Sequence, residues 1–134
     1  MAAAPPLDPA KAAAAIDACL TSEQTCTSCA DLDLGEDDVA DLADCIGVCQ
    51  NCADVCNTTM RALSRPVHSD HYVLHRLLRS CVRMCALTAA ECARHAAHHR
   101  HCAICEQACR ACEQACTELL EAEALEELQK LAGG

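Results

Sequence analysis

The sequence predicts an all-α fold, an antiparallel four-helix bundle with a cysteine-lined core. Three observations carry that expectation. Fifteen cysteines recur at intervals of three, four and seven residues, and a helix that turns about every 3.6 residues puts such positions on one stripe. Gly35 and Pro66 mark breaks between long helical segments. Neither strand-like alternation nor an Asn-Gly hairpin signal occurs anywhere in the chain.

The first helix is expected over about 9–30. Asp8 is a good N-cap and Pro9 suits the first helical position. Asp31, Leu32, Asp33 and Leu34 then form the connection, and Gly35 marks the break. A second helix spans about 36–64, with Glu36, Asp37 and Asp38 crowding its start, where negative charge favours the macrodipole. It stops before Pro66. The third covers about 69–97, with Ser69 as its cap. The fourth covers about 100–131 and ends at Gly133 and Gly134. Short connections make consecutive helices antiparallel neighbours, all within one domain over 1–134.

Each helix carries its own thiols. They are Cys19, Cys26 and Cys29 on the first, and Cys45, Cys49, Cys52 and Cys56 on the second. The third has Cys81, Cys85 and Cys92, and the fourth has Cys102, Cys105, Cys109, Cys112 and Cys116. The spacing Cys-x3-Cys-x2-Cys-x3-Cys appears at 45–56 and again at 105–116. Cysteine therefore stands where leucine normally builds a bundle core, and four facing stripes make a vault suited to a soft metal.

Composition narrows the chemistry. There is no Phe or Trp and one tyrosine, Tyr72, so an aromatic-rich core is excluded. The net charge of −10 argues against nucleic acid, which demands clustered Lys and Arg. The start, Met1 to Asp8, has no basic region followed by an unbroken apolar run, so it is not read as a secretory leader. No run of about 18 apolar residues suggests a membrane span. A reducing, cytoplasmic setting is expected, where structural disulfides are rare. Fifteen is odd, so complete internal pairing is impossible, and stapling one helix to itself closes only short loops.

Neutral thiols are small hydrophobes that a dry core accommodates without charge. Metal binding turns them into thiolates. One Cu(I) exchanged for one thiol proton leaves the core charge unchanged. A tetrahedral zinc site of four thiolates carries a formal −2, and filling a core with such sites accumulates charge that burial makes costly. Monovalent ions bridged between pairs of sulfurs therefore fit best, at about one ion per cysteine, roughly 15.

These stripes, with the segment Cys92-Ala93-Arg94-His95-Ala96-Ala97-His98-His99-Arg100-His101-Cys102 and the Cys-x2-Cys-x3-Cys run after it, resemble the cytosolic branch of the four-helix-bundle copper storage proteins, the Csp family. The resemblance spans nearly the whole chain. It implies storage of multiple Cu(I) ions in the bundle core, no export signal and a homotetramer.

An up-down topology also distinguishes the two ends. Phase carries the third stripe from Cys92 to His95. It carries the fourth stripe back from Cys105 to His101 and from Cys102 to His98. These three histidines are candidates to receive or release copper at a polar mouth, while His99 is read as solvated. Ile16, Leu63, Leu74, Leu77, Leu78, Leu119 and Leu120 gather at the other end as an apolar plug. Met60, four residues after Cys56, is a candidate soft ligand there, whereas Met84 is read as packing. His68, His71 and His75 are read as surface or capping groups.

Rival chemistries fit less well. A zinc or mixed-metal sink of metallothionein type does not need helical phase from Cys19 to Cys116. Iron–sulfur runs sit in loops with nearby Gly and Pro, and these segments hold only Gly47. An enzyme or thiol relay would single out one activated cysteine beside a base, and no position stands apart in that way. A purely structural bundle is better served by leucine.

Overall fold

The computed structural model describes residues 7–133. The residues that speak against a secretory leader lie mostly outside this range, as does the final glycine of the helix-four stop. Four helices run in order: α1, Pro9–Leu34; α2, Ala43–Leu63; α3, His71–Ala93; and α4, Arg100–Gly133, with short 3-10 turns at Val39–Leu42 and Pro66–His68. No strand occurs among the described residues. α1 packs on α2 and α4, and α3 packs on the same two partners, so the helices form a square antiparallel bundle. No described helix is long and apolar enough to cross a membrane.

Local chemistry sets the boundaries. The Asp8 carboxylate accepts the Lys11 amide at 3.0 Å and Pro9 opens α1. α1 runs to Leu34 rather than stopping near Ala30, because nothing in Asp31–Leu34 breaks a helix. It closes where the Gly35 amide donates back to the Leu32 carbonyl at 3.1 Å. The extra turn moves Asp33 from the expected connection onto the buried stripe. α2 starts at Ala43, seven positions later than expected, because His99 draws Asp38 sideways at 2.9 Å and Leu42 is buried. Glu36, Asp37 and Asp38 consequently belong to the connection.

Asp70, not Ser69, caps α3 by accepting the Val73 amide at 3.0 Å. Ser69 instead donates to the carbonyls of Arg65 and Ala62, tying off the end of α2. α3 ends at Ala93 instead of 97. Beyond it the backbone tightens into three-residue turns, with the Arg94, His95 and Ala96 amides bonding Glu91, Cys92 and Ala93.

All fifteen cysteines are buried, together with Ala15, Leu63, Leu74, Leu78 and Leu119 at the end where α1 begins. Ile16, Met60 and Leu120 close around that leucine layer. Leu77 lines a surface groove beside it with Ala62 and Val73. Burying each leucine contributes about 1.5–3 kcal/mol, so this end supplies most of the aliphatic packing, with Leu42 at the other end and thiols between. α4 then outruns its neighbours, leaving Leu125, Leu128 and Leu131 exposed.

Candidate metal centre

Helical phase turns the four thiol stripes toward one axis. All fifteen cysteines are free thiols, and their sulfurs meet across helices at hydrogen-bond range. Cys26 and Cys109 lie 3.5 Å apart, Cys105 and Cys26 3.6 Å, Cys112 and Cys19 3.7 Å. Cys52 and Cys85 are 3.8 Å apart, as are Cys49 and Cys105. Three groups of four sulfurs each fit within 4.8 Å: Cys19, Cys81, Cys112 and Cys116; Cys56, Cys81, Cys85 and Cys112; Cys29, Cys45, Cys49 and Cys92. The first two share Cys81 and Cys112. Shared sulfurs suit bridged ions rather than separate closed sites.

The thiols ionise as a network. Cys105 and Cys112 are pushed well up, because each gives its proton to several neighbouring sulfurs, beginning with Cys109 and Cys116 respectively. Cys26 and Cys29 are drawn below the ordinary thiol range by neighbouring thiols, Cys105 first. Burial pushes Cys102 up, and the charges of Cys29, Cys45 and Asp33 add to it. Loading therefore displaces protons from sulfurs that already hold one another in place.

At the opposite end from the leucines, Cys29, Asp33, His101 and Cys102 form a mixed group within 4.8 Å. Asp33 is fully buried. Its Oδ1 accepts from His101 Nε2 at 2.7 Å and from the Cys102 thiol at 3.6 Å, while Oδ2 has no partner. A buried carboxylate oxygen without a donor is costly, and it points to a group that completes the site. His101 Nδ1 stands 4.0 Å from Glu36.

The other predicted site residues fall differently. His95 follows the end of α3, and its Nε2 meets Glu91 Oε1 at 3.2 Å, one turn back. His98 is exposed in the α3–α4 connection. α4 begins only at Arg100, so the projection back from Cys102 to His98 does not continue the stripe. Met60 is half-buried, and its sulfur takes a hydrogen bond from Ser64 at 3.9 Å; Thr59, not Met60, occupies the inward position beside Cys56. His99, expected to be solvated, has its ring largely covered and holds Asp38 at 2.9 Å and Glu36 at 3.6 Å. That hydrogen bond raises His99 and lowers Asp38 from their ordinary values. His71 and His75 stay near the surface, edge to face at 6.3 Å.

Two buried polar groups on the α1 stripe escaped the sequence reading, as did Thr59 and Thr88 on α2 and α3. Cys19, Ser22, Cys26, Cys29 and Asp33 succeed one another at three and four residues, so phase alone marks Ser22 and Asp33 as core positions. A reading confined to thiols passes over both.

Known proteins of similar make-up match this architecture. Residues 8–121 match the family described as copper storage protein. The copper storage protein Ccsp of Streptomyces lividans, solved loaded with 10 copper equivalents, is 47% identical; the match covers 87% of this chain and 88% of that one, with a TM-score of 0.85. The Cu(I)-bound copper storage protein BsCsp3 is 26% identical, with 82% of this chain and 98% of that one covered and a TM-score of 0.74. The uncharacterized cysteine-rich protein YhjQ of Bacillus subtilis (strain 168) is 28% identical over 95 residues, 71% of this chain and 82% of that one. With its thiol-lined four-helix bundle and a family match over residues 8–121, the chain belongs to the copper storage protein family.

Proposed function

We propose that this chain is a cytosolic Cu(I) store, a single domain over 1–134 that binds about one ion per cysteine through bridging thiolates. The observation that carries the reading is the burial of fifteen free thiols in one core, with sulfurs 3.5–4.0 Å apart across helices. Each arriving Cu(I) displaces one thiol proton, so a filled core remains near neutral and the bundle does not have to bury net charge. The cysteine beside a base is Cys102, which donates to the Asp33 carboxylate at 3.6 Å, and its thiol is pushed up rather than activated as a nucleophile, which supports a storage role rather than an enzymatic one.

Cys29, Asp33, His101 and Cys102 form the way in. Their mixed oxygen, nitrogen and sulfur donors grade from solvent toward the all-sulfur interior, so an ion exchanges hydration for softer ligands stepwise. His95 stands at the rim on the Glu91 carboxylate, and His98 at its exposed edge gives a first contact with incoming copper. Met60 packs beside the leucine layer and takes no part in the copper path. The chain assembles as a homotetramer, in keeping with the family resemblance.

Zinc is the second reading, since a group of four sulfurs within 4.8 Å also suits a tetrahedral ion. Shared members and accumulating charge weigh against it. Anaerobic titration of reduced protein with Cu(I) against a chromophoric chelator separates the two. Saturation near one ion per cysteine is expected. Saturation after a few ions, or zinc outcompeting Cu(I), contradicts the store.

A further inference from the structure

The helical threonines Thr25, Thr27, Thr59, Thr88 and Thr117 return their hydroxyls to the carbonyl four residues back, at 2.7–2.8 Å. Ser22 does not. It is fully buried, and its Oγ meets four sulfurs: Cys56 at 3.5 Å, whose thiol donates to it, Cys109 at 3.7 Å, and Cys26 and Cys52 each at 3.9 Å.

Those four sulfurs belong to two separate networks. Toward the leucine end, thiol–thiol hydrogen bonds of 4.0 Å or less connect Cys19, Cys52, Cys56, Cys81, Cys85, Cys112 and Cys116. Toward the histidine end they connect Cys26, Cys45, Cys49, Cys92, Cys105 and Cys109. Cys29 and Cys102 make a pair of their own at 3.9 Å, beside Asp33. No thiol–thiol hydrogen bond of that length joins the first two networks among the described residues. Their nearest approach is the Cys26, Cys52 and Cys109 triangle, whose sulfurs lie within 4.8 Å of one another. Ser22 touches all three and Cys56 besides.

We propose that Ser22 is a positioning residue that divides the vault into two copper-loading compartments. This rests on the Cu(I) store reading. A serine hydroxyl keeps its proton at neutral pH and is a hard oxygen, so it does not replace a bridging thiolate between Cu(I) ions. It interrupts the sulfur ladder at the level of Cys26, Cys52 and Cys109, where the fourth inward side chain is oxygen. As Cu(I) displaces the Cys56 proton, that thiol ceases to donate to Ser22. The hydroxyl then turns its own proton toward the thiolates of Cys56 or Cys109, a charge-assisted bond that holds them without bridging them. The two compartments fill as separate steps, sized by the two networks.

The test compares wild type, Ser22→Ala and Ser22→Cys in anaerobic Cu(I) competition titrations, followed by thiolate-to-copper absorption. Wild type is expected to load in two steps. Ser22→Cys supplies a sixteenth thiol, joins the networks, raises capacity by about one ion and merges the steps. Ser22→Ala keeps capacity and both steps, but binds about tenfold more weakly in one of them, the step that fills whichever of Cys56 and Cys109 the hydroxyl holds. A single step in wild type, Ser22→Cys that loads like wild type, or Ser22→Ala that merges the steps overturns the proposal. Metal-free melting adds a second readout, independent of copper. The hydroxyl has only weak sulfur partners, so Ser22→Ala should melt at or above wild type; a fall of several degrees makes Ser22 structural and overturns the positioning role. A low capacity shared by all three proteins would count against the store itself, while the melting comparison still tests Ser22.

Discussion

The two ends of this bundle close the same thiol core by opposite means. Where α1 begins, Leu63, Leu74, Leu78 and Leu119 form a layer without a polar atom in it. Where α1 ends, the closure is a web of charge: Asp33 on His101, Asp38 and Glu36 on His99, Glu91 on His95. Aliphatic packing excludes water and ions alike. Carboxylates and imidazoles close a mouth yet remain ligands, so the same groups that shut the core can hand a cation inward. Under the proposed store, the leucine end supplies stability and the histidine end traffic.

The largest expected effect lies at the leucine end. Leu119→Ala should cost about 2–5 kcal/mol of metal-free stability while leaving Cu(I) uptake rates unchanged; denaturant unfolding and stopped-flow uptake together check it. Slowed uptake with unchanged stability would invert the division of labour.

At the mouth, Asp33→Ala should weaken the Cys29, His101 and Cys102 site about 10–100-fold and slow uptake, with capacity falling by no more than about one ion. His101→Ala should slow uptake similarly. Uptake rates equal to wild type in both variants would remove the mouth from the path.

A smaller effect concerns pH. His99 is raised by Asp38, so its share of stability is full below the ordinary histidine value of about 6.5 and is lost as pH rises through its raised folded value. Asp38 is lowered by His99, so its share is present above the ordinary carboxylate value and is lost as pH falls through its lowered one. The connection before α2 is therefore held best between the two. Melting temperatures of wild type and Asp38→Asn should differ most inside that window and converge above it. A constant difference would show that the pair is not electrostatic.

The smallest effect is a control between the two ends. A Cβ at Gly47 of α2 meets nothing within 4 Å, so Gly47→Ala should stabilise by about 0.5–1 kcal/mol and leave copper loading as it was.

The thiol core was legible in the sequence because helical phase alone specifies it, and every cysteine reads inward at its predicted position. The leucine plug was legible for the same reason. The histidine end was less so, because its geometry depends on where helices stop. Asp31–Leu34 looks like a connection until one counts four residues on from Cys29 to Asp33. His98 looks in phase until α4 is seen to start at Arg100. His99 looks solvated because its partners, Glu36 and Asp38, lie some sixty residues away in sequence, beyond any local signal. Ser22 was legible by spacing and missed by chemistry, since attention to sulfur passes over an oxygen in the same stripe.

Anomalous scattering at the copper edge, from crystals of the fully loaded protein, tests the central claim most directly. Copper should form one column between the four helices, running from Cys19 and Cys116 to His101, with none among Leu63, Leu74, Leu78 and Leu119. Copper on the outer surface or inside the leucine layer, or cysteine sulfurs joined as disulfides, would contradict it.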